Sequence, residues 1–390
     1  MASGGPRVVI TGMGAVSCLG HGVSAMWEGL AAGRCGIGPL ARLNAEEHRI
    51  KHAGEVPPLD APVEDFSDLA IRYAVAACAE ALDQARLEDR RPVALVLGSN
   101  FGAMARTERL LSGARAESDA VLAEGPTRIA AKELGLEGVQ STVSLSCASG
   151  NAVIGYAADL IRSGRAEIAL AAGYDAISEI VWAGLCSLRA MTADKIRPFD
   201  RRRDGTIFSE GAGALLLESA DHALKRAAQP LALFLGYATS NNAFHMTYPD
   251  PDGAGMARAM RDALQDSHIA PDEVDHINAH ATGTPSNDKL ETAAIKTVFG
   301  PRAAAIPING LKAMLGHAMG AAGALEAIAT VLTIRTGIIP PTINLEVPDP
   351  DCDLDYTPSK ARRAAVRTAM NNSAGFGGCN ASAVFRRWEG

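Results

Sequence analysis

Two segments of the chain share one pattern: a short apolar strand, a reactive side chain, and a helix of small residues. In the first, residues 143–146 read as a strand, Cys147 follows, and residues 148–161 have helical periodicity. The second repeats this order at residues 305–309, at His317 and at residues 318–336. Helices this rich in Ala and Gly can approach each other closely. The repeat therefore predicts two similar halves whose two helices share a central layer between sheets.

Cys147 is the candidate nucleophile. A thiol at a helix N-terminus faces unpaired N–H groups and the positive end of the helix dipole, and both favour the thiolate. Cysteine is also a commonly buried small apolar residue, so its position alone leaves a plain packing role open.

Length and composition exclude several classes of protein. A chain of 390 residues with 47% hydrophobic content exceeds one ordinary core, and a buried strand starting at residue 231 predicts domains at residues 1–230 and 231–390. The net charge of -7 argues against nucleic-acid binding. Seven scattered cysteines without a CxxC pair indicate neither a disulfide framework nor a zinc site, and they favour a cytoplasmic protein.

A membrane span is not indicated either. The most apolar long segment, residues 318–339, carries Glu326 and Arg335, and its many Ala and Gly residues suit a close-packed core helix. Burying Glu326 among Ala, Ile and Leu would be costly unless a cation met it, and Lys312 is the nearest candidate in sequence.

Two further stretches of the second half carry chemistry-bearing residues. A predicted strand over residues 274–279 delivers His280 into a Gly/Thr loop, although a hydrogen-bonded core histidine is an open alternative. The glycines of residues 371–380 would let backbone N–H groups approach a reacting oxygen, as an oxyanion hole requires. In the first half, Arg201, Arg202 and Arg203 are expected on a solvated face, with an acidic partner that uses them as the alternative.

These motifs together resemble the beta-ketoacyl-ACP synthases, condensing enzymes of the thiolase superfamily. The resemblance covers nearly the whole chain and is strongest to the free-standing, elongating type II class (KAS I/II-like). The motifs that carry it are the opening strand with Gly12, residues 146–150, residues 198–213, both histidine motifs and residues 375–380.

The resemblance implies an α/β fold, namely a thiolase-like five-layered αβαβα sandwich of two similar halves. It implies a decarboxylative Claisen condensation of an acyl-enzyme thioester with malonyl-ACP, in fatty acid or type II polyketide biosynthesis. Family motifs assign roles to these residues: Cys147 as nucleophile, His280 and His317 as donors to the enolate oxygen, Lys312 and Glu326 as an ordering ion pair, the N–H groups of Cys147 and Phe376 as oxyanion hole, Thr282 and Thr284 as phosphopantetheine contacts, and Phe101 as a wall of the acyl pocket.

The implied partner is an acyl carrier protein, acyl- or malonyl-loaded, which supplies the 4'-phosphopantetheine; no bound cofactor and no metal are expected. The resemblance also implies a homodimer formed through the strand before Cys147, or a heterodimer with a chain-length-factor-like subunit. Neither nucleic acid nor a membrane is an expected partner.

Three departures from the family pattern keep alternatives open. Residues 67–72 match a basic helix that docks the carrier, yet only Arg72 is basic here, and residues 286–296 resemble a ketosynthase of specialised type II polyketide or polyene systems. Cys379 admits a thiolase that uses it as base and takes acetyl-CoA. A non-catalytic chain-length partner is the third alternative, against which the retention of Cys147 and both histidines argues.

Overall fold

The structure is a computed structural model that describes residues 5–59, 69–113 and 122–390. The strands are, in chain order, β1 (Val8–Ser17), β2 (Gly20–His21), β3 (Gly38–Pro39), β4 (His52–Ala53), β5 (Ala94–Gly98), β6 (Gln140–Val143), β7 (Ile168–Asp175), β8 (Gly211–Ser219), β9 (Ala232–Asn241), β10 (His276–Asn278), β11 (Ile308–Asn309), β12 (Ile338–Ile339), β13 (Arg362–Arg363), β14 (Thr368–Gly375) and β15 (Cys379–Arg386). The helices are α1 (Val23–Ala31), α2 (Leu69–Ala85), α3 (Met104–Leu111), α4 (Gly125–Leu134), α5 (Ser149–Arg162), α6 (Glu179–Ser187), α7 (Ala220–Lys225), α8 (Ala254–Asp266), α9 (Asn287–Phe299), α10 (Lys312–Leu315) and α11 (Ala322–Thr336).

Two sets of five strands have the same order and the same directions. The first runs β6-β5-β7-β8-β1 and the second β11-β10-β14-β15-β9. In each set, the first two pairings are parallel and the last two are antiparallel. The sets meet edge to edge, where β1 pairs with β9. The shared topology supports two similar halves; the boundary at residues 230 and 231 lies between α7 and β9 and stays a prediction.

Three buried apolar clusters define five layers. One cluster packs α2 and α4 on the outer face of the first strand set, and another packs α8 and α9 on the outer face of the second. The largest cluster lies between the sets and contains α5 and α11. Strand β5 contributes side chains to the clusters on both of its faces, because Leu95 faces α2 and Val96 faces the central helices. The layers are therefore α, β, α, β and α, as predicted.

The two central helices touch through glycines, as the small-residue pattern predicts. A methyl group on Gly150 would collide with the backbone nitrogen of Ala324, and one on Gly323 would lie 2.8 Å from the backbone nitrogen of Asn151. The close approach thus involves the first turns of α5 and α11. Gly155 instead makes room for the ring of Tyr237.

Helix α11 is buried along most of its length, including every residue from 322 to 331. An all-round buried helix is what a central layer requires, since it contacts a sheet on each side. Among the described residues, no helix is both long and apolar enough to cross a bilayer.

The turn before Cys147 differs from prediction. Strand β6 ends at Val143, so the predicted strand over residues 143–146 is wrong in its position along the chain. Ser146 has a φ of 51°, and this left-handed residue turns the chain sharply from the strand into α5. A pattern of apolar and small residues carries no signal for such a turn, because it is stabilised by tertiary contacts.

Candidate active site

Cys147, His280 and His317 come together in one cavity of about 340 Å³. Each follows a strand or a short helix at the same end of the two sheets, which is why residues distant in sequence converge. Other predicted site residues that line this cavity are Thr282, Thr284 and Phe376. The hydroxyl oxygens of Thr282 and Thr284 lie 2.9 Å apart.

The thiol of Cys147 is deeply buried, with 2% of the residue exposed. Burial raises its pKa to about 12, although the Ser146 hydroxyl, Lys312 and the backbone N–H of Phe376 act in the opposite direction. The expectation that the helix end favours a thiolate is therefore corrected, because the effect of burial on the thiol pKa outweighs that of the neighbouring donors.

The glycine-rich loop after β14 lies directly against Cys147. A methyl group on Gly375 would lie 2.8 Å from the backbone nitrogen of Cys147, so only glycine leaves room for this contact. The next N–H, that of Phe376, faces the Cys147 sulfur. A backbone donor is thus placed beside the atom that would carry an acyl group, where an oxyanion hole needs it.

His280 is held by contacts to its main chain and to its ring. The carboxylate of Glu291 accepts the backbone N–H groups of His280 and Ala281, at 2.7 and 2.9 Å. The ammonium of Lys312 donates to the carbonyl of His280 at 2.5 Å and lies 3.3 Å from the Nδ1 atom of the ring. An ammonium can only donate, so Nδ1 is the acceptor and the ring proton lies on Nε2.

His317 has the same tautomer for a different reason. The backbone N–H of Met319 donates to Nδ1 of His317 at 3.3 Å, which leaves the ring proton on Nε2. The ring stacks on Phe208 with 5.2 Å between centroids, and the main chain bonds to that of Ile207 and Ser209. Both imidazoles therefore carry a donor on Nε2.

Both histidines are neutral at physiological pH. Burial lowers the pKa of each ring well below its ordinary value, and the charge of Lys312 lowers both further. The rings are nearly perpendicular, with centroids 5.3 Å apart. Two neutral N–H donors so close together can serve one developing negative charge.

The ion pair between Lys312 and Glu326 forms as predicted. Its two atoms are 2.6 Å apart, and 0% of Lys312 and 1% of Glu326 are exposed. Burial raises the pKa of Glu326 to about 7, with Lys312 acting to lower it. The pair fixes the ammonium that orients His280.

Replacing Glu326 with alanine is expected to destabilise the protein, because Lys312 would remain as an unpaired buried charge. Loss of one partner of a buried pair costs on the order of 3 kcal/mol. The measurement is thermal and urea unfolding, with Glu389→Ala as matched control: its pair with Arg367 is exposed and should contribute about 1 kcal/mol or less. Equal midpoints for both variants would contradict a buried pair.

Sequence reasoning missed several supporting residues. Glu291 and Asp288 lie one turn apart on α9, and Asp288 accepts the N–H groups of Phe199 and Gly283. In the sequence, the available signal was that these two acidic residues follow the His280 loop three positions apart, which places them on one face of a helix. The expectation of a solvated Arg203 is wrong: it is 9% exposed and donates to Asp349 and to the carbonyls of Thr284 and Pro285.

Three other predicted positions lie away from the cavity lining. Phe101 is half-buried and joins an apolar cluster that also contains Phe376, Trp182 and Met319. Cys379 is half-buried and does not line the cavity, and its sulfur accepts from the Asn241 amide at 3.6 Å. Arg72 is exposed on α2, while residues 67 and 68 lie outside the described residues. The described chain contains no cluster of potential ligands that could hold a metal ion.

Comparisons with known proteins agree over almost the entire chain. Residues 6–223 match the model of the beta-ketoacyl synthase N-terminal domain, and residues 231–346 match that of the C-terminal domain. A 3-oxoacyl-[acyl-carrier-protein] synthase 2 of Synechocystis is 36% identical and is covered over 98% of both chains. The tetracenomycin polyketide synthase ketoacyl synthase alpha subunit of Streptomyces glaucescens is 38% identical over 98% of this chain and 97% of the relative.

Solved structures give the same result. The ishigamide ketosynthase/chain length factor is 40% identical with a TM-score of 0.90, over 99% of this chain and 100% of that one. A type II polyketide synthase acyl-carrier protein in complex with its ketosynthase is 33% identical, also with a TM-score of 0.90, over 99% and 100%. The fold predicted from the motifs is confirmed, and the chain belongs to the beta-ketoacyl synthase family.

Proposed function

We propose that this chain catalyses the decarboxylative Claisen condensation of an acyl-enzyme thioester with malonyl-ACP, giving beta-ketoacyl-ACP in fatty acid or type II polyketide biosynthesis. One observation carries the proposal: Cys147 shares a cavity with two neutral imidazoles that both have their proton on Nε2. A thiol alone would suit many acyl transfers, whereas the paired donors suit a step that generates an enolate.

In the first half-reaction, the sulfur of Cys147 attacks the acyl thioester of the carrier. A new carbon–sulfur bond forms, the old one breaks, and the thiol proton of Cys147 ends on the departing pantetheine sulfur. The Phe376 N–H beside the sulfur is suited to hold the negative oxygen of the tetrahedral intermediate together with the N–H of Cys147.

In the second half-reaction, malonyl thioester loses its carboxylate as carbon dioxide. The electron pair of the broken carbon–carbon bond becomes an enolate, whose oxygen accepts hydrogen bonds from Nε2 of His280 and Nε2 of His317. The enolate carbon then attacks the acyl carbonyl on Cys147, the carbon–sulfur bond breaks, and the sulfur leaves as a thiolate that takes up one proton from water to regenerate the thiol. Lys312 contributes indirectly by keeping the proton of His280 on Nε2.

The 4'-phosphopantetheine arm of the carrier is the only prosthetic group that this scheme requires. Thr282 and Thr284 line the cavity, and their adjacent hydroxyls are suited to bond to the amides of the arm. We assign no bound cofactor to the chain itself. All seven cysteines are free thiols, which supports a reducing cytoplasmic setting.

The oligomer is proposed to form along strand β6. Among the described strands β6 pairs only with β5, and its residues 141–143 are half-exposed, so one edge offers unpaired backbone groups. A homodimer would pair two copies of this edge. A heterodimer with a chain-length factor is the second candidate, favoured by the 40% identical ketosynthase/chain length factor structure and by the presence of only Arg72 as a basic residue in residues 67–72.

The test of the function is incubation of the pure protein with acyl-carrier and malonyl-carrier substrates. A ketoacyl product with release of carbon dioxide supports the synthase; condensation of two acetyl groups without decarboxylation would support a thiolase. Activity of the chain alone would favour the homodimer, whereas activity only with a second subunit would favour the heterodimer. A chain inactive under both conditions would be a non-catalytic partner.

We propose that Phe101 limits the length of the acyl chain. Its cluster includes Phe376, which lines the cavity beside Cys147, so a chain extending past Phe376 would meet this apolar region. Each methylene group excluded from the pocket loses about 0.8 kcal/mol of favourable burial free energy, so a difference of a few carbons sets a sharp limit on acyl-chain length.

The Phe101→Ala variant is expected to extend the longest chain loaded onto Cys147, at some cost in stability from the cavity created. The measurement is the acylation rate over a series of chain lengths. Phe299→Ala is the control, because Phe299 is a buried phenylalanine of an outer layer. An unaltered limit in folded Phe101→Ala would show that Phe101 is ordinary core.

A further inference from the structure

A buried carboxylate at the end of β7 connects two segments of the site. Asp175 is 0% exposed, and all the hydrogen-bond partners that the described residues give it are neutral donors. These donors are the Ser99 hydroxyl at 2.5 Å, the N–H of Asn100 at 2.9 Å, the N–H of Phe101 at 3.0 Å and the N–H of Gly320 at 2.6 Å. Burying a carboxylate without a cation is costly unless its hydrogen bonds are saturated, as they are here.

Three of the four donors belong to the turn that carries Phe101. Oδ1 of Asp175 accepts from Ser99 and Phe101, and Oδ2 accepts from Asn100. The Ser99 hydroxyl oxygen also accepts the N–H of Gly102 at 2.6 Å, which closes the turn. The position of the Phe101 ring therefore depends on this carboxylate.

The fourth donor belongs to the segment that orients His317. Gly320 follows Met319, whose N–H fixes the tautomer of His317. The fit is tight, because a methyl group on Gly320 would lie 2.7 Å from Oδ2 of Asp175 and 2.8 Å from the nitrogen of Asn100. Oδ2 thus accepts from both segments at once and bridges them.

We infer that Asp175 is a positioning residue that couples the acyl-chain wall at Phe101 to the alignment of His317. The inference rests on the proposed function. An acyl chain that displaces the Phe101 turn must also displace Oδ2 of Asp175, and Oδ2 can move only together with Gly320 and the Met319 donor. An acyl chain of fitting length therefore keeps His317 aligned for decarboxylation, and an acyl chain that is too long does not.

The Asp175→Asn variant tests this coupling. An amide has the shape of the carboxylate but offers a donor in place of one oxygen. If the nitrogen replaces Oδ1, the Phe101 turn loses an acceptor, and if it replaces Oδ2, both segments lose their shared acceptor. Misplacement of a reacting group by about 1 Å can cost about 10²-fold in rate. We expect malonyl decarboxylation to fall about 10-fold to 10²-fold, Cys147 acylation to fall less, and the preference among acyl chain lengths to weaken.

Two further variants keep the test decisive. Glu218→Gln also neutralises a fully buried carboxylate, one held by Thr11, His222 and Arg226 outside the cavity lining, and it should alter stability without changing the ratio of the half-reactions. Ser99→Ala leaves Asp175 intact and removes one donor of the Phe101 turn, so it should shift the chain-length preference more than decarboxylation. If Asp175→Asn does not fold, Ser99→Ala still tests the coupling.

Three outcomes would overturn the inference. The first is a loss of Cys147 acylation and malonyl decarboxylation by the same factor in Asp175→Asn. The second is the same ratio of these two rates in Asp175→Asn as in Glu218→Gln. The third is an unchanged chain-length preference in Ser99→Ala. His317→Ala separates the coupling from the proposed function. If His317→Ala leaves decarboxylation unchanged, the proposed function fails. If His317→Ala lowers decarboxylation while Asp175→Asn keeps the wild-type rate, only the coupling fails.

Discussion

Acyl loading is expected to disappear when Cys147 is replaced by serine. Burial already raises the pKa of the Cys147 thiol to about 12, and a hydroxyl in the same buried position would ionise far less readily. Loss of a nucleophile of this kind costs at least about 10³-fold in rate. The measurement is mass spectrometry of the intact protein and its peptides after incubation with acyl carrier, where the wild type gains an acyl group on Cys147.

Cys379→Ser is the matched control, because it removes the other thiol next to the glycine-rich loop. Cys379 does not line the cavity, so this variant should acquire the acyl group at the wild-type rate. An adduct that maps to Cys379, or one that persists in Cys147→Ser, would remove Cys147 from the mechanism.

The sequence pattern predicts the order of elements around Cys147 but not its environment. The strand, the cysteine and the small-residue helix follow one another as expected, because apolar periodicity is a local property of the chain. The left-handed Ser146 and the depth of burial are set by contacts with the Gly375 loop, which is more than 220 residues away in sequence. Helix-dipole reasoning alone therefore did not predict the thiol pKa, because the largest effect on it is burial.

Burial of Glu326 could be anticipated, because a carboxylate inside an Ala- and Leu-rich helix needs a cation, and Lys312 was the nearest one. The tautomers of the histidines could not be anticipated. They depend on one donor from Lys312 and one from the Met319 main chain, whose φ of 54° no apolar pattern would predict. Asp175 lay outside the prediction for a similar reason, since its four donors come from two segments that are both distant from it in sequence.

Malonyl decarboxylation is expected to fall by about 10²-fold or more in His317→Ala, the usual effect of losing one oxyanion donor. Acylation of Cys147 should be largely retained, because the proposed first half-reaction does not use the Nε2 donor of His317. The two rates are measured separately, as carbon dioxide release from malonyl carrier and as acyl adduct on Cys147. In the wild type, neither histidine should give an inflection in carbon dioxide release near about pH 6.5, because burial and Lys312 lower the pKa of both rings. An inflection near pH 7 would instead belong to a buried carboxyl group such as that of Glu326, whose pKa burial raises to about 7.

His276→Ala is the control for general loss of a buried imidazole. His276 is 1% exposed, contacts the Pro307 carbonyl through Nδ1 at 2.8 Å and does not line the cavity. His276→Ala should lower the stability of the protein, while the folded variant keeps the wild-type ratio of the acylation and decarboxylation rates. If His317→Ala instead lowers acylation and decarboxylation by the same factor, then His317 acts on the structure of the cavity, and the enolate oxygen must find its donors elsewhere.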